Sequence, residues 1–283
     1  MILFALFAIG CDFIGSCSST DSTTETVVKS NPQTVLPHKR ACDGGSDKPD
    51  VVIVSIDTLR ADRLGFAGHE NARTPHLDAL AKSGVVFTQA TTPVPRTTPA
   101  LASLMTGLSP HHHGAREVGD VVQAPQRLPT LLAEQGWRTV GISAMPVVGP
   151  KQKMDRGFDA FEVHYDAPSV NLTQHALDRA KEVPTDCPLF LWTHYADPHF
   201  PYLPPSSWSD QPPATKCRKL SKRATNSKVA RYKYFGNRDG ISEPLVEDCS
   251  ALYDAEIAYT DHGVGKLLSG LESMGRTQPI VVF

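Results

Sequence analysis

Three short stretches hold residue types that could do chemistry together. The first is SIDTLRADRLG, in which Asp57 closes the β-branched run DVVIVSID. A carboxylate at the end of a buried strand is a good ligand for a hard divalent cation, and an equally good N-cap for the segment after it. The second is RTTPALASLMTG, where Thr97 and Thr98 stand just before a proline-initiated helix. A helix N-terminus offers free N–H groups and a positive dipole end, which favour a phosphate- or sulfate-like anion. A hydroxyl at that place can act as a nucleophile if a metal lowers its pKa; otherwise two threonines there are caps. The third is WTHYADPHFPY, with His194 and His199 straddling the end of a buried strand and Asp197 between them. Prolines on both sides of His199 would hold it in an extended loop, whether as a site histidine or as part of an aromatic surface loop.

The elements that would position these residues alternate along the chain. Asp50 begins a strand, and Thr74-Pro75 starts a helix through HLDALAKSG. A short strand follows at Val85, and Thr98-Pro99 opens ALASLMTG, closed by Gly107. Leu128 to Gln135 reads as a helix, Arg138 to Ser143 as a strand, Asn171 to Glu182 as a helix and Leu189 to His194 as a buried strand. From Ser250 to Ser273 the apolar positions Ile257, Val264, Leu267, Leu268 and Leu271 mark one helical face, and PIVVF ends the chain as another strand. Such alternation predicts an α/β fold, a largely parallel (mixed) sheet sandwiched by helices, with ligands at the carboxyl ends of the strands.

The 28 basic and 30 acidic residues give a formal net charge of −2, and that balance argues against a nucleic acid or other polyanion as partner. Residues 1–17, opening with the apolar MILFALFAIG, read as a signal or lipoprotein-like leader, and 18–49 as a Ser/Thr-rich tether. Cys11 and Cys17 both sit where a lipid anchor would be attached, so the protein is expected to be exported, periplasmic or held at a bacterial membrane as a lipoprotein. Of the other cysteines, Cys217 and Cys249 flank a basic, irregular stretch (KCRKLSKRATNSK onward), and a bridge stapling it is the favoured pairing.

In this order the segments carry a resemblance. VVIVSIDTLRADRLG, TPHLDALAKSGVVFTQA, TTPALASLMTGLSPHHHG, DRGFDAF, THYADPHFPY and YDAEIAYTDHGVGKLL together resemble the N-terminal catalytic part of the sulfatase family, in the alkaline phosphatase superfamily. The likeness covers nearly everything after residue 50, so 50–283 is identified as a sulfatase-type catalytic domain, N-terminal portion. It implies an alkaline-phosphatase-like fold and a divalent metal ion (Ca, Mn, Mg or Zn) held by Asp57 and Thr97. It also implies Thr97 as nucleophile and His199 as the histidine meeting the ester oxygen. The expected substrate is a small-molecule, glycan or lipid sulfate or phosphate ester.

Three departures bear on that expectation. The family's Cys/Ser-x-Pro-x-Arg reads Thr97, Thr98, Pro99, Ala100, Leu101 here, so no formylglycine is expected and the arginine is replaced. A plain threonine resembles instead the superfamily's phosphodiesterases and phosphoglycerol or phosphoethanolamine transferases. The family's Lys-x-His has no match in GISAMPVVG. Asp261-His262-Gly263 spells the second metal motif but falls inside an amphipathic helix, so it is read as a decoy, and His113 is read as structural. The Asp-His ligands are expected after the strand PIVVF, where the chain stops at Phe283. The chain therefore reads as truncated at its C-terminus, and an inactive fragment is the alternative to a working hydrolase or transferase.

Overall fold

The computed structural model describes residues 3–4, 48–209, 215–226, 242–277 and 279–282. Its strands are β1 (Leu3–Phe4), β2 (Val51–Ile56), β3 (Val85–Val86), β4 (Arg138–Ser143), β5 (Ala160–Val163), β6 (Leu189–Tyr195) and β7 (Ile280–Val282). Its helices are α1 (Pro75–Ser83), α2 (Thr97–Thr106), α3 (Pro110–His113), α4 (Leu128–Glu134), α5 (Ser169–Lys181), α6 (Lys216–Asn226) and α7 (Glu243–Ser273). The seven strands order as β3-β1-β7-β2-β6-β4-β5 with parallel pairing throughout. The α/β expectation is met. Leu3–Phe4, within the stretch read as a leader, lies in the sheet between β3 and β7.

Strand periodicity divides the interior into two cores. Val52, Val54 and Ile56 of β2, with Leu189, Leu191 and Tyr195 of β6, pack under α1, α5 and α7. Ile53, Phe190 and Trp192 point the other way, against Leu101, Ala102 and Met105 of α2. Both faces are covered, which is why the strands read as unbroken apolar runs. The parity also settles the site: Ser55 and Asp57 continue the Ile53 face, and His194 continues the Phe190–Trp192 face, so all three look toward α2.

Three helices begin earlier than their sequence signals, α5 by two residues at Ser169. The residue flanking α2 is Arg96, so Thr97 and Thr98 are its first two helical residues rather than a cap outside it. Pro99 is then third, still within the first turn, where a missing N–H costs no intrahelical bond. Helix α7 starts at Glu243, seven residues before Ser250, with a proline in its first turn. The stretch read as irregular after Lys216 is helical as far as Asn226, and the expected Cys217–Cys249 disulfide ties α6 to α7. Cys187 is also disulfide-bonded.

Candidate active site

Asp57 follows the last residue of β2 and is fully buried. Its backbone N–H still donates to Tyr195 O (3.0 Å), extending the ladder by one bond and fixing the carboxylate at the sheet's carboxyl edge. Thr97 Oγ1, in the first turn of α2, donates to Asp57 Oδ2 at 3.1 Å. The other oxygen, Oδ1, is buried with no partner among the described residues, and so is Oγ1 of the next residue, Thr58. Thr58 has φ +54°, a left-handed conformation uncommon for a β-branched residue. Its carbonyl accepts from Tyr253 Oη (2.7 Å), and that hydroxyl accepts from the Arg60 N–H (2.8 Å), which pins the turn. Asp57 therefore caps nothing. Thr98 is the structural one of the two threonines: its Oγ1 donates to Val147 O (2.8 Å) and accepts from the Gly119 N–H (2.9 Å).

The β2–β6 register pairs Ser55 with His194. Trp192 Nε1–H donates to Ser55 Oγ (2.9 Å), and Ser55 Oγ lies 2.9 Å from His194 Nδ1. In the tautomer in which the serine donates to histidine, Nδ1 is the acceptor and Nε2 carries the proton. That Nε2 is buried without a hydrogen-bond partner among the described residues, 3.8 Å from Asp57 Oδ2. Burial pushes His194 below the usual imidazole range, against the opposite pull of the Asp57 carboxylate. In that tautomer the imidazole turns an N–H toward the Asp57 carboxylate. Sequence reading named His194 but gave it no role, because the register that sets Ser55 beside it is a tertiary property.

His199 lies on the loop beyond β6. Its N–H donates to Ala196 O (2.7 Å), and its Nδ1 donates to Phe200 O (2.7 Å). It is near enough to His194 to act on it electrostatically. The loop is anchored at several points. Asp197 Oδ2 accepts from the N–H (3.0 Å) and the hydroxyl (2.8 Å) of Ser169 at the start of α5. Thr260 Oγ1 donates to Asp197 O (3.3 Å), and Glu256 Oε1 accepts from the Leu203 N–H. Burial raises both carboxyls above their ordinary values, Glu256 well above, with the nearby Asp197 charge adding to its rise.

Asp261 does something else. Its Oδ1 accepts from the Leu77 N–H (2.8 Å) and its Oδ2 from the His76 N–H (3.2 Å), the donors of the first turn of α1. Gly265 permits that approach, since a Cβ there would meet the His76 ring at 2.5 Å. The Asp-His-Gly tripeptide is a helix-docking device. His113 is structural too: it is fully buried, with Nε2 at 2.9 Å from Ser103 Oγ and Nδ1 accepting from the Ala115 N–H. Leu101, in place of the family's arginine, packs in the α2 core.

A divalent cation suits part of this arrangement. The orphaned Asp57 Oδ1 is a buried anionic donor with an open position, and Thr97 Oγ1 stands beside the same carboxylate. Among the described residues no group of three or more His, Cys, Asp or Glu could hold a metal ion, so this edge supplies two donors.

Comparison with known proteins agrees with this architecture. A 63-residue stretch is 51% identical to an ulvan-active sulfatase of Formosa agariphila, covering 22% of this chain and 12% of that protein. Human N-sulphoglucosamine sulphohydrolase is 36% identical over 155 residues, 50% of this chain and 31% of that one. Phosphonate monoester hydrolase of Agrobacterium radiobacter superposes with a TM-score of 0.65 at 18% identity, over 83% of this chain and 61% of the other. The C-terminal periplasmic domain of EcEptC from Escherichia coli, in complex with Zn, gives 0.57 at 18% identity, over 82% and 62%. These last two likenesses are of fold. The chain spans less than two thirds of each of these four proteins. The sulfatase family model matches residues 49–283, the whole stretch from just before β2 onward, and the chain belongs to the sulfatase family.

Proposed function

We propose that this chain carries the nucleophile side of a metal-dependent hydrolase or transferase acting on sulfate or phosphate esters. The observation that carries the reading is the Thr97 hydroxyl bonded to a fully buried Asp57 carboxylate whose second oxygen has no protein partner. Thr97 Oγ1 passes its proton to Asp57 Oδ2 as it attacks phosphorus or sulfur, a new Oγ1–P or Oγ1–S bond forms, the bond to the ester oxygen breaks, and that oxygen departs with a proton from His199. Water or an acceptor alcohol then releases the Thr97 ester. Asp57 orients the attacking hydroxyl, and the Thr97 and Thr98 N–H groups at the start of α2 face the anion. A divalent ion bound through Asp57 Oδ1 and Thr97 would supply Lewis acidity and lower the pKa of the hydroxyl.

The ester class is supported by relatives named as an ulvan-active sulfatase and a sulphoglucosamine sulphohydrolase, and by a phosphonate monoester hydrolase as a structural neighbour. Threonine in place of cysteine or serine favours phosphorus chemistry without formylglycine. Export to an oxidising compartment, with a lipid anchor at Cys11 or Cys17, belongs to the same proposal and is supported by the disulfides at Cys217–Cys249 and Cys187. The test is turnover of an aryl phosphate and an aryl sulfate by the Thr97→Ala variant, which should abolish it while the thermal transition stays unchanged. Retained turnover removes the assignment.

A second reading is that the chain binds anions without turning them over, and the two-donor metal edge favours it. Titration calorimetry with Mn²⁺ or Ca²⁺ separates the two: micromolar binding supports a working site, and no binding supports anion binding without turnover.

A further inference from the structure

The net charge of −2 conceals a local concentration. From Lys216 to Arg238 the sequence carries nine of the 28 lysines and arginines and no acidic residue. The described part of this run is α6, and its charges lie on one side. At about 100° per residue, Lys216, Arg218, Lys219, Lys222 and Arg223 fall within an arc of roughly 160°, with Cys217 and Ser221 on the opposite side. Cys217 and Ser221 are fully buried, while Lys216, Lys219, Lys222 and Arg223 are exposed and make no ion pair among the described residues. Three contacts fix how the helix sits. The Cys217–Cys249 disulfide and the Cys217 N–H to Asp248 Oδ2 bond (2.9 Å) hold it on α7, and Arg218 Nη1 donates to Pro204 O (3.3 Å). Pro204 is on the loop that carries His199, so the basic face runs beside the segment proposed to meet the ester.

We propose that α6 is a binding surface for an acidic polysaccharide chain, one bearing sulfate or carboxylate groups, held alongside the His199 loop. From Lys216 to Arg223 the helix rises about 10 Å, so the cations make a row that suits a linear polyanion better than a single small anion. A membrane surface fits less well. An interfacial helix inserts an apolar face between lipids, and here the small buried face is already committed to α7. The inference revises the expectation, drawn from overall charge, that no polyanion is a partner. It rests on the proposed ester cleavage only for where the held chain leads.

The experiment uses the full chain and four probes at equal anion concentration: labelled dextran sulfate, neutral dextran, phosphatidylglycerol vesicles and single-stranded DNA. Dextran sulfate should bind tightest, and its affinity should fall as salt rises. The variant Lys216→Gln/Lys219→Gln/Lys222→Gln/Arg223→Gln should bind it about tenfold or more weaker with a shallower salt dependence, and cleave a small aryl ester as the wild type does. Thr97→Ala should bind dextran sulfate normally, so loss of cleavage and loss of polymer binding are separate failures. Unchanged affinity in the quadruple variant, equal binding of neutral dextran, or tighter binding of vesicles or DNA overturns the proposal.

Discussion

Asp57 and Asp261 are both buried aspartates in segments that resemble metal motifs, yet they are opposites. Each oxygen of Asp261 accepts a backbone N–H from α1, so its charge is compensated by two fixed dipoles at a helix N-terminus. The Asp57 carboxylate accepts one bond, from a side-chain hydroxyl, and its other oxygen has no partner among the described residues. A buried polar atom without a partner costs about 1–3 kcal/mol, more when charged. A carboxylate that stabilises the fold is the saturated one; a carboxylate available for chemistry is the one the fold leaves unsatisfied. Spelling does not separate them, and hydrogen-bond environment does.

The largest effect that could break this contrast is on activity. Asp57→Asn should lower turnover of an aryl ester by about 10³-fold or more, because it removes the group that orients Thr97 and would carry the metal. The same change should leave the chemical-denaturation midpoint unchanged or raise it, since it relieves a buried, half-satisfied charge. A large destabilisation would place Asp57 with Asp261.

The reverse pattern is expected for Asp261→Asn. The amide presents an N–H₂ to one of the two α1 donors, leaving it unsatisfied, and should cost about 2–3 kcal/mol of stability by urea unfolding. Specific activity per folded molecule should change little. His194 sharpens the contrast from Asp57's side. His194→Phe should cost about tenfold in turnover by removing the N–H that faces Asp57 Oδ2, whereas His194→Gln, which can offer a donor, should recover part of it.

The smallest effect concerns a third carboxyl, Glu256, whose Oε2 is buried and unpartnered. Its folded-state pKa is raised, chiefly by burial and then by Asp197, against the pull of Arg218. A carboxyl that holds its proton more tightly when folded gives stability that is present below its unfolded value and lost as pH rises through the folded value. Glu256→Gln should therefore match the wild type near pH 4 and exceed it by about 1 kcal/mol at pH 8, measured by thermal melts across that range.

The sequence made legible whatever is local. The β-branched run VVIVSI announced β2, the apolar run LFLWTH announced β6, Thr74-Pro75 announced α1, and the apolar spacing through Ile257 and Val264 placed Asp261 inside a helix. It also brought Asp57 and Thr97 to one edge, because both follow from strand end and helix start. Three features needed the tertiary structure. The Ser55–His194 pairing depends on a β2–β6 register that no single strand encodes. The start of α2 at Thr97 was hidden because a proline is as acceptable at the third helical position as at the first. The basic stretch after Lys216 looked irregular by composition, and only its packing and disulfide against α7 show which side of the helix is buried.

The most direct test is to trap the covalent ester. Rapid quenching of the full chain during turnover of an aryl phosphate, followed by peptide mapping, should find one phosphoryl group on the peptide containing Thr97 and none in Thr97→Ala. A phosphoryl group on another residue, or turnover with Thr97 never modified, would contradict a nucleophile held by Asp57 at the end of β2.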